Sequence, residues 1–242
     1  MTPATIRRLA RRGPRKVLLN PGPVNLDERV RDALLVEDMC HREPDAYALL
    51  GGVRRLVTEL SGGAGTHAAV VLAGSGTSAI EAMISSVVPA TGRLLVLSNG
   101  HFGERLAAIA AIHRVPSATW VQGWGNAFDL DGIERRLTAE PDITHVAVVH
   151  HETSTGQLND LTALGQIVAR AGRSLLVDAV SSFGGEDLDV VRDNIDWCVA
   201  SSNKCIEGPP GLAFAIGRRG AVAALDDVEE RSLYLSLRRY FE

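Results

Sequence analysis

The chain carries 25 lysines and arginines, yet only two of them, Lys16 and Lys204, are lysines. Lys16 sits in a charged leader. Lys204 follows the apolar run Trp197-Cys198-Val199-Ala200 and precedes Gly208-Pro209-Pro210-Gly211, which places it where a buried strand meets a loop. An arginine would stay protonated there, whereas a partly desolvated lysine can release its proton. A free amine is what imine formation with an aldehyde requires. The plainer alternative is a surface lysine at a strand end, so the residues that converge on the same place decide.

Gly74-Ser75-Gly76-Thr77 lies between a candidate strand and a candidate helix. Glycines there let backbone amides approach an anion, and Ser75 and Thr77 add hydroxyl donors. A tight turn with Thr77 as the helix cap is the competing explanation. No lysine follows the glycines as in a P-loop, and the spacing is not that of a dinucleotide fingerprint. Asp178 ends the run Ser174-Leu175-Leu176-Val177, where a carboxylate is costly to bury unless it meets a cation. A protonated pyridine nitrogen would be such a cation; a cap on a nearby backbone amide is the alternative. Phe102 could cover a flat ring or belong to the core. Thr153 could bond a phenolic oxygen or serve turn chemistry.

These residues need a scaffold that brings them together. Apolar runs predict strands over Ala68–Ala73, Leu94–Ser98, His145–His150, Ser174–Asp178, Trp197–Ser201 and Leu212–Ile216. Several are apolar at consecutive positions, as expected of strands covered on both faces. Helical spacing predicts Ser78–Val88, Gly103–His113, Leu130–Ala139 and Asp160–Ala171 between them. The alternation implies an α/β fold with a mostly parallel sheet in three α/β/α layers. In such sheets ligands sit at the carboxyl ends of the strands, and the residues above all fall at or just after a strand end.

Jointly, Gly74-Ser75-Gly76-Thr77, Asn99-Gly100-His101-Phe102-Gly103-Glu104-Arg105, His151-Glu152-Thr153-Ser154-Thr155-Gly156, Val177-Asp178-Ala179-Val180-Ser181-Ser182-Phe183-Gly184-Gly185 and Ser202-Asn203-Lys204-Cys205 resemble the class V aminotransferases. These are fold-type I enzymes that use pyridoxal 5'-phosphate. Within the class, Ser-Ser-Phe-Gly-Gly and Asn-Lys-Cys-Ile look most like the 2-aminoethylphosphonate:pyruvate transaminases. The resemblance implies a seven-stranded large domain over residues 17–242, with pyruvate, another 2-oxo acid or glyoxylate as amino acceptor and a homodimer as the assembly. It implies that Lys204 carries the cofactor and shuttles a proton, that Asp178 pairs the ring nitrogen and that Phe102 stacks on the ring. Ser75, Gly76, Thr77 and Asn203 would hold the phosphate, Thr153 would face the ring hydroxyl, and Val180 would pack beneath the ring. His41-Arg42-Glu43 is similar to a motif of other class members, the alanine- or serine-glyoxylate type included. Arg42 is expected to grip a substrate carboxylate or phosphonate, with a surface ion pair to Glu43 or Asp45 as the alternative.

Composition bounds the rest. At 242 residues, 45% apolar and with a net charge of -4, the chain fits a globular protein without a nucleic-acid-binding stripe. No apolar run is long enough to cross a membrane. Cys40, Cys198 and Cys205 lack metal-ligand spacing, so no metal is expected, and they suit a reducing cytoplasm. Residues 1–16 read as a mobile basic leader. Family members continue into a smaller domain that supplies an arginine for the substrate carboxylate, and no counterpart is expected here. A fragment, a short form completed by another polypeptide, and a non-catalytic cofactor-binding or dimerising remnant are the three readings of that difference.

Overall fold

In the computed structural model, which describes residues 16–242, the apolar runs pair into one seven-stranded sheet. The leader, apart from Lys16, lies outside the described residues. The strands are β1 (His67–Ala73), β2 (Arg93–Ser98), β3 (Ser117–Val121), β4 (Ile143–Val149), β7 (Ser174–Asp178), β8 (Trp197–Ser201) and β9 (Leu212–Arg218), with a short hairpin of β5 (His151–Glu152) and β6 (Gln157–Leu158) beside them. Their order is β1-β9-β8-β7-β4-β2-β3. β9 runs against both of its neighbours, and the other pairs are parallel. β1 and β8 therefore point the same way as the rest, and only β9 is reversed.

Helices cover both faces, as the unbroken apolar strands require. On one face lie α3 (Gly76–Val87) and α4 (His101–Ile112), whose Ile80, Met83, Ile84, Leu106 and Ile109 pack on Leu94, Val96, Leu176 and Val199. On the other lie α5 (Leu130–Ala139) and α6 (Leu161–Arg170), whose Ile133, Leu137, Leu164 and Val168 meet Leu95, Leu97, Val146, Val148 and Val177. Consecutive residues of β2 thus serve opposite cores. Each large apolar side chain buried this way contributes about 1.5–3 kcal/mol. Asp129 and Asp160 start α5 and α6 by accepting from the amides of Gly132 and Ala163, both at 2.9 Å.

The expected strands and helices are present, most with ends shifted by one or two residues. Two elements on the sheet's periphery were not expected. β3 is an edge strand whose residues alternate between exposed and half-buried. α2 (Pro44–Leu60), with the short α1 (Glu28–Ala33) before it, leaves Tyr47, Leu49, Leu50 and Leu56 exposed. Leu34, Leu35, Val36 and Met39, which precede it in the chain, are exposed as well.

After β9 the chain returns across the α3 face through α7 (Arg219–Ala223), a 3-10 turn (Ala224–Asp227) and α8 (Leu237–Phe241). Arg231 donates to the carbonyls of Ser85 and Val88 at 3.0 and 2.9 Å, satisfying the end of α3. Tyr234 donates to the carbonyl of Ala73 at 2.9 Å, and Leu237 is fully buried. No helix among the described residues is long and apolar enough to cross a membrane. All three cysteines are free.

Candidate active site

Because six strands run the same way, their carboxyl ends share one edge of the sheet. A crevice of about 260 Å³ opens there. Its lining includes Ser75, Gly76, Thr77, Phe102, Thr153, Asp178, Val180, Asn203 and Lys204, so all nine residues expected around a cofactor meet in one place. They arrive from the ends of β1, β7 and β8, from the start of α4 and from the turn after β5.

Anion-binding geometry comes from the start of α3. Ser75 is its N-cap residue, and neither its side chain nor that of Thr77 caps the helix. The cap role weighed for Thr77 is therefore not filled: the helix begins one residue earlier, at Gly76. Ser78 donates its amide to the Ser75 carbonyl at 2.9 Å, while no acceptor among the described residues takes the Gly76 or Thr77 amide. A Cβ on Gly76 would sit 2.7 Å from Val180 Cγ2, so only glycine lets the helix end lie on the valine. Asn203 Oδ1 accepts from Ser201 at 3.0 Å, which leaves its amide nitrogen to donate elsewhere.

Asp178 is 3% exposed. Burial pushes its carboxyl up to about 6; the Val180 amide, donating at 2.9 Å, and the charges of Arg105 and Lys204 pull it back, and Glu152 pushes it further up. One carboxylate oxygen is thus held by the backbone, and the group lines the crevice. Lys204 lies across the crevice, half-buried, and forms no ion pair among the described residues. Its stem is packed against Gly22, where a Cβ would overlap Lys204 Cδ and stand 2.9 Å from the Asn203 carbonyl. Behind Asp178, Cys198 is fully buried and burial raises its thiol, so it is inert.

A fully buried base, His150, is pushed down to about 4 by burial and faces Ser182 at 2.9 Å from Nδ1. It stands behind the crevice and braces the loop after β7. Thr153 donates to Ser181 at 2.7 Å, so the turn after β5 and the loop after β7 are tied together at the crevice wall.

Arg42 does not join the other residues. It lies exposed in the turn before α2, outside the crevice lining of its own chain, and forms no ion pair with Glu43 or Asp45. In its place the crevice has Arg105, which no sequence argument singled out. Its Cζ stands 4.4 Å over the centre of the Phe102 ring, and its buried Nε has no hydrogen-bond partner. His151, Ser181 and Ser201 also line the crevice. The three-residue offset from Phe102 to Arg105 on one helix face was the signal available in the sequence.

The layering, strand order and site edge are those of fold-type I pyridoxal-phosphate aminotransferases. A pyridoxamine-pyruvate aminotransferase from Mesorhizobium loti superposes with a TM-score of 0.87 at 27% identity, covering 94% of this chain and 58% of that one. An alanine-glyoxylate aminotransferase from Nostoc sp. gives 0.87 at 28% identity, covering 94% of this chain and 60% of that one. The family description Aminotransferase class-V matches residues 31–233, and the chain belongs to that family. Its members generally depend on pyridoxal phosphate. A protein from Syntrophobacter fumaroxidans named 2-aminoethylphosphonate--pyruvate transaminase is 41% identical over 222 residues, 91% of this chain and 58% of that protein. The chain spans somewhat less than three fifths of the length of such relatives.

Proposed function

We propose that residues 17–242 form the pyridoxal-phosphate-binding part of a transaminase that moves an amino group from 2-aminoethylphosphonate to pyruvate, giving phosphonoacetaldehyde and alanine. The observation that carries this reading is the meeting of Lys204, Asp178, Phe102 and the open amides of α3 in one crevice. The donor is inferred from the 41% identical relatives of that name.

The residues fit the cofactor. Gly76 keeps clear a cradle that a Cβ would fill, and the free amides of Gly76 and Thr77, with Ser75 and Asn203, suit a phosphate. When bound, pyridoxal phosphate supplies an aldehyde and an electron sink. Asp178 would hold a proton on the ring nitrogen, and its burial would strengthen that pairing. Phe102 would cover one ring face and Val180 would pack beneath the other. Thr153, fixed by Ser181, would face the ring hydroxyl. Lys204 would hold the cofactor through Nζ and, as a free amine, would move a proton from the donor's Cα to C4′ of the cofactor. Among the described residues, Arg105 and Lys204 are the arginine and lysine that line the crevice for a substrate anion, with His151 beside them. Arg42 is exposed and can serve such an anion only where another surface brings it to a crevice. A second copy docked on the uncovered face of α2 is the assembly we favour, and a cytoplasmic setting suits the three free thiols.

The test is amino transfer by the loaded chain. Alanine released from 2-aminoethylphosphonate and pyruvate supports the reading. Transfer from alanine to glyoxylate instead supports the glyoxylate type, which the Nostoc neighbour favours. Cofactor binding without either reaction would reduce this chain to a binding unit. A smaller prediction concerns Gly22: alanine there is expected to push the Lys204 stem aside and slow cofactor attachment about 100-fold, read from the growth of the visible band in stopped flow.

A further inference from the structure

We propose that Glu152 is a positioning residue of this crevice: a buried carboxylate that clamps the first turn of α4 and so fixes Phe102 against Asp178. What the crevice holds rests on the transaminase reading; the clamp itself does not.

Glu152 is 0% exposed, and a carboxylate buried that deeply is unstable unless donors surround it. Four do. Oε1 accepts from the amides of Phe102 and Ser154 at 3.3 and 3.2 Å and from the Ser154 hydroxyl at 2.6 Å; Oε2 accepts from the Gly103 amide at 3.0 Å. The Ser154 hydroxyl in turn accepts from the His101 amide at 3.0 Å. The orphan amides of a helix start are thus satisfied from a strand some fifty residues later, while the N-cap residue Gly100 contributes no side chain. Negative charge at this end also suits the helix dipole.

The glycines around Phe102 follow from this clamp. A Cβ on Gly100 would overlap Glu152 Cγ and lie 2.7 Å from Ser154 Oγ; one on Gly103 would lie 2.7 Å from Ser98 Cα. The helix start can reach the carboxylate only without them. Phe102 is held by its own amide, and Arg105, one turn on, rests over its ring. Thr153 follows Glu152 directly and is bonded to Ser181. One carboxylate therefore sets the distance between the ring-covering wall and the wall that carries Asp178.

Glu152→Gln keeps the size and one acceptor oxygen but turns an amide group on the Gly103 donor; Glu152→Ala removes the clamp. Two readouts separate clamp from cofactor. In the cofactor-free chain, hydrogen exchange at the Phe102 and Gly103 amides is expected to rise about 10-fold or more in Glu152→Gln, with β2 and β4 unchanged. With pyridoxal phosphate, its dissociation constant is expected to rise about 10-fold and the visible circular dichroism of the bound cofactor to weaken. Unchanged exchange overturns the clamp. Exchange that rises evenly through β2 and β4 makes Glu152 a residue of general stability and also overturns it. Faster local exchange with unaltered cofactor affinity and dichroism makes it a helix cap without a positioning role. If the parent chain shows no visible band, the transaminase reading fails, and the exchange experiment still decides the clamp.

Discussion

Replacing Lys204 by alanine is expected to lower amino transfer by about 10⁴-fold or more, and replacing it by arginine is expected to do no better. The reaction asks this residue for a neutral amine twice, first to bond the aldehyde and then to carry a proton. A guanidinium stays protonated throughout the useful pH range. Lys16, the other lysine, does not line the crevice. Because the Lys204 side chain is half-buried and holds no ion pair among the described residues, neither change is expected to move the thermal midpoint by more than about 2 °C. Turnover measured beside thermal melts checks both halves of the expectation. Full loss of activity with a large fall in melting temperature would show a structural lysine.

Asp178→Asn is expected to act with opposite signs on stability and on binding. The carboxyl is raised from 3.8 to about 6, chiefly by burial. A group raised on folding contributes stability that is complete below pH 3.8 and is lost as pH rises through about 6. Two pKa units correspond to about 3 kcal/mol, the cost at neutral pH of keeping this carboxylate ionised in the cofactor-free chain. Asparagine keeps an oxygen for the Val180 amide and removes the charge, but buries a new amide donor. The net gain is expected to be about 1–2 kcal/mol at pH 7.5, a few degrees of melting temperature, and to vanish near pH 4. Affinity for the cofactor is expected to fall about 100-fold, because a neutral amide does not hold a protonated ring nitrogen. Melts from pH 4 to 8 with and without pyridoxal phosphate measure both. A variant that is less stable than its parent at pH 7.5 would contradict the placement of Asp178 as a charge held in strain for a ligand.

The site was largely legible because its residues sit where local pattern is strongest. Trp197–Ser201 and Ser174–Asp178 are short strands with apolar interiors that end in polar residues, and their bounds in the structure are those expected. Parallel order then carries Lys204 and Asp178 to one edge without further information. The elements that escaped notice have no such pattern. β3 alternates between exposed and half-buried positions on an edge, and α2 leaves Tyr47, Leu49, Leu50 and Leu56 exposed. Arg42 was placed by motif, and the fold leaves it on the exposed turn before α2. Arg105 had only its three-residue offset from Phe102 as a signal, and Glu152 had no local signal at all, since it acts on amides some fifty residues earlier. Contacts of that range are properties of the folded chain.

The most direct test is to mix the purified chain with pyridoxal phosphate, record the visible spectrum, reduce with borohydride and map the labelled peptide. A stable visible band and a cofactor fixed on Lys204 are the expected results. No band, or label confined to Lys16, would contradict a working cofactor site in this crevice.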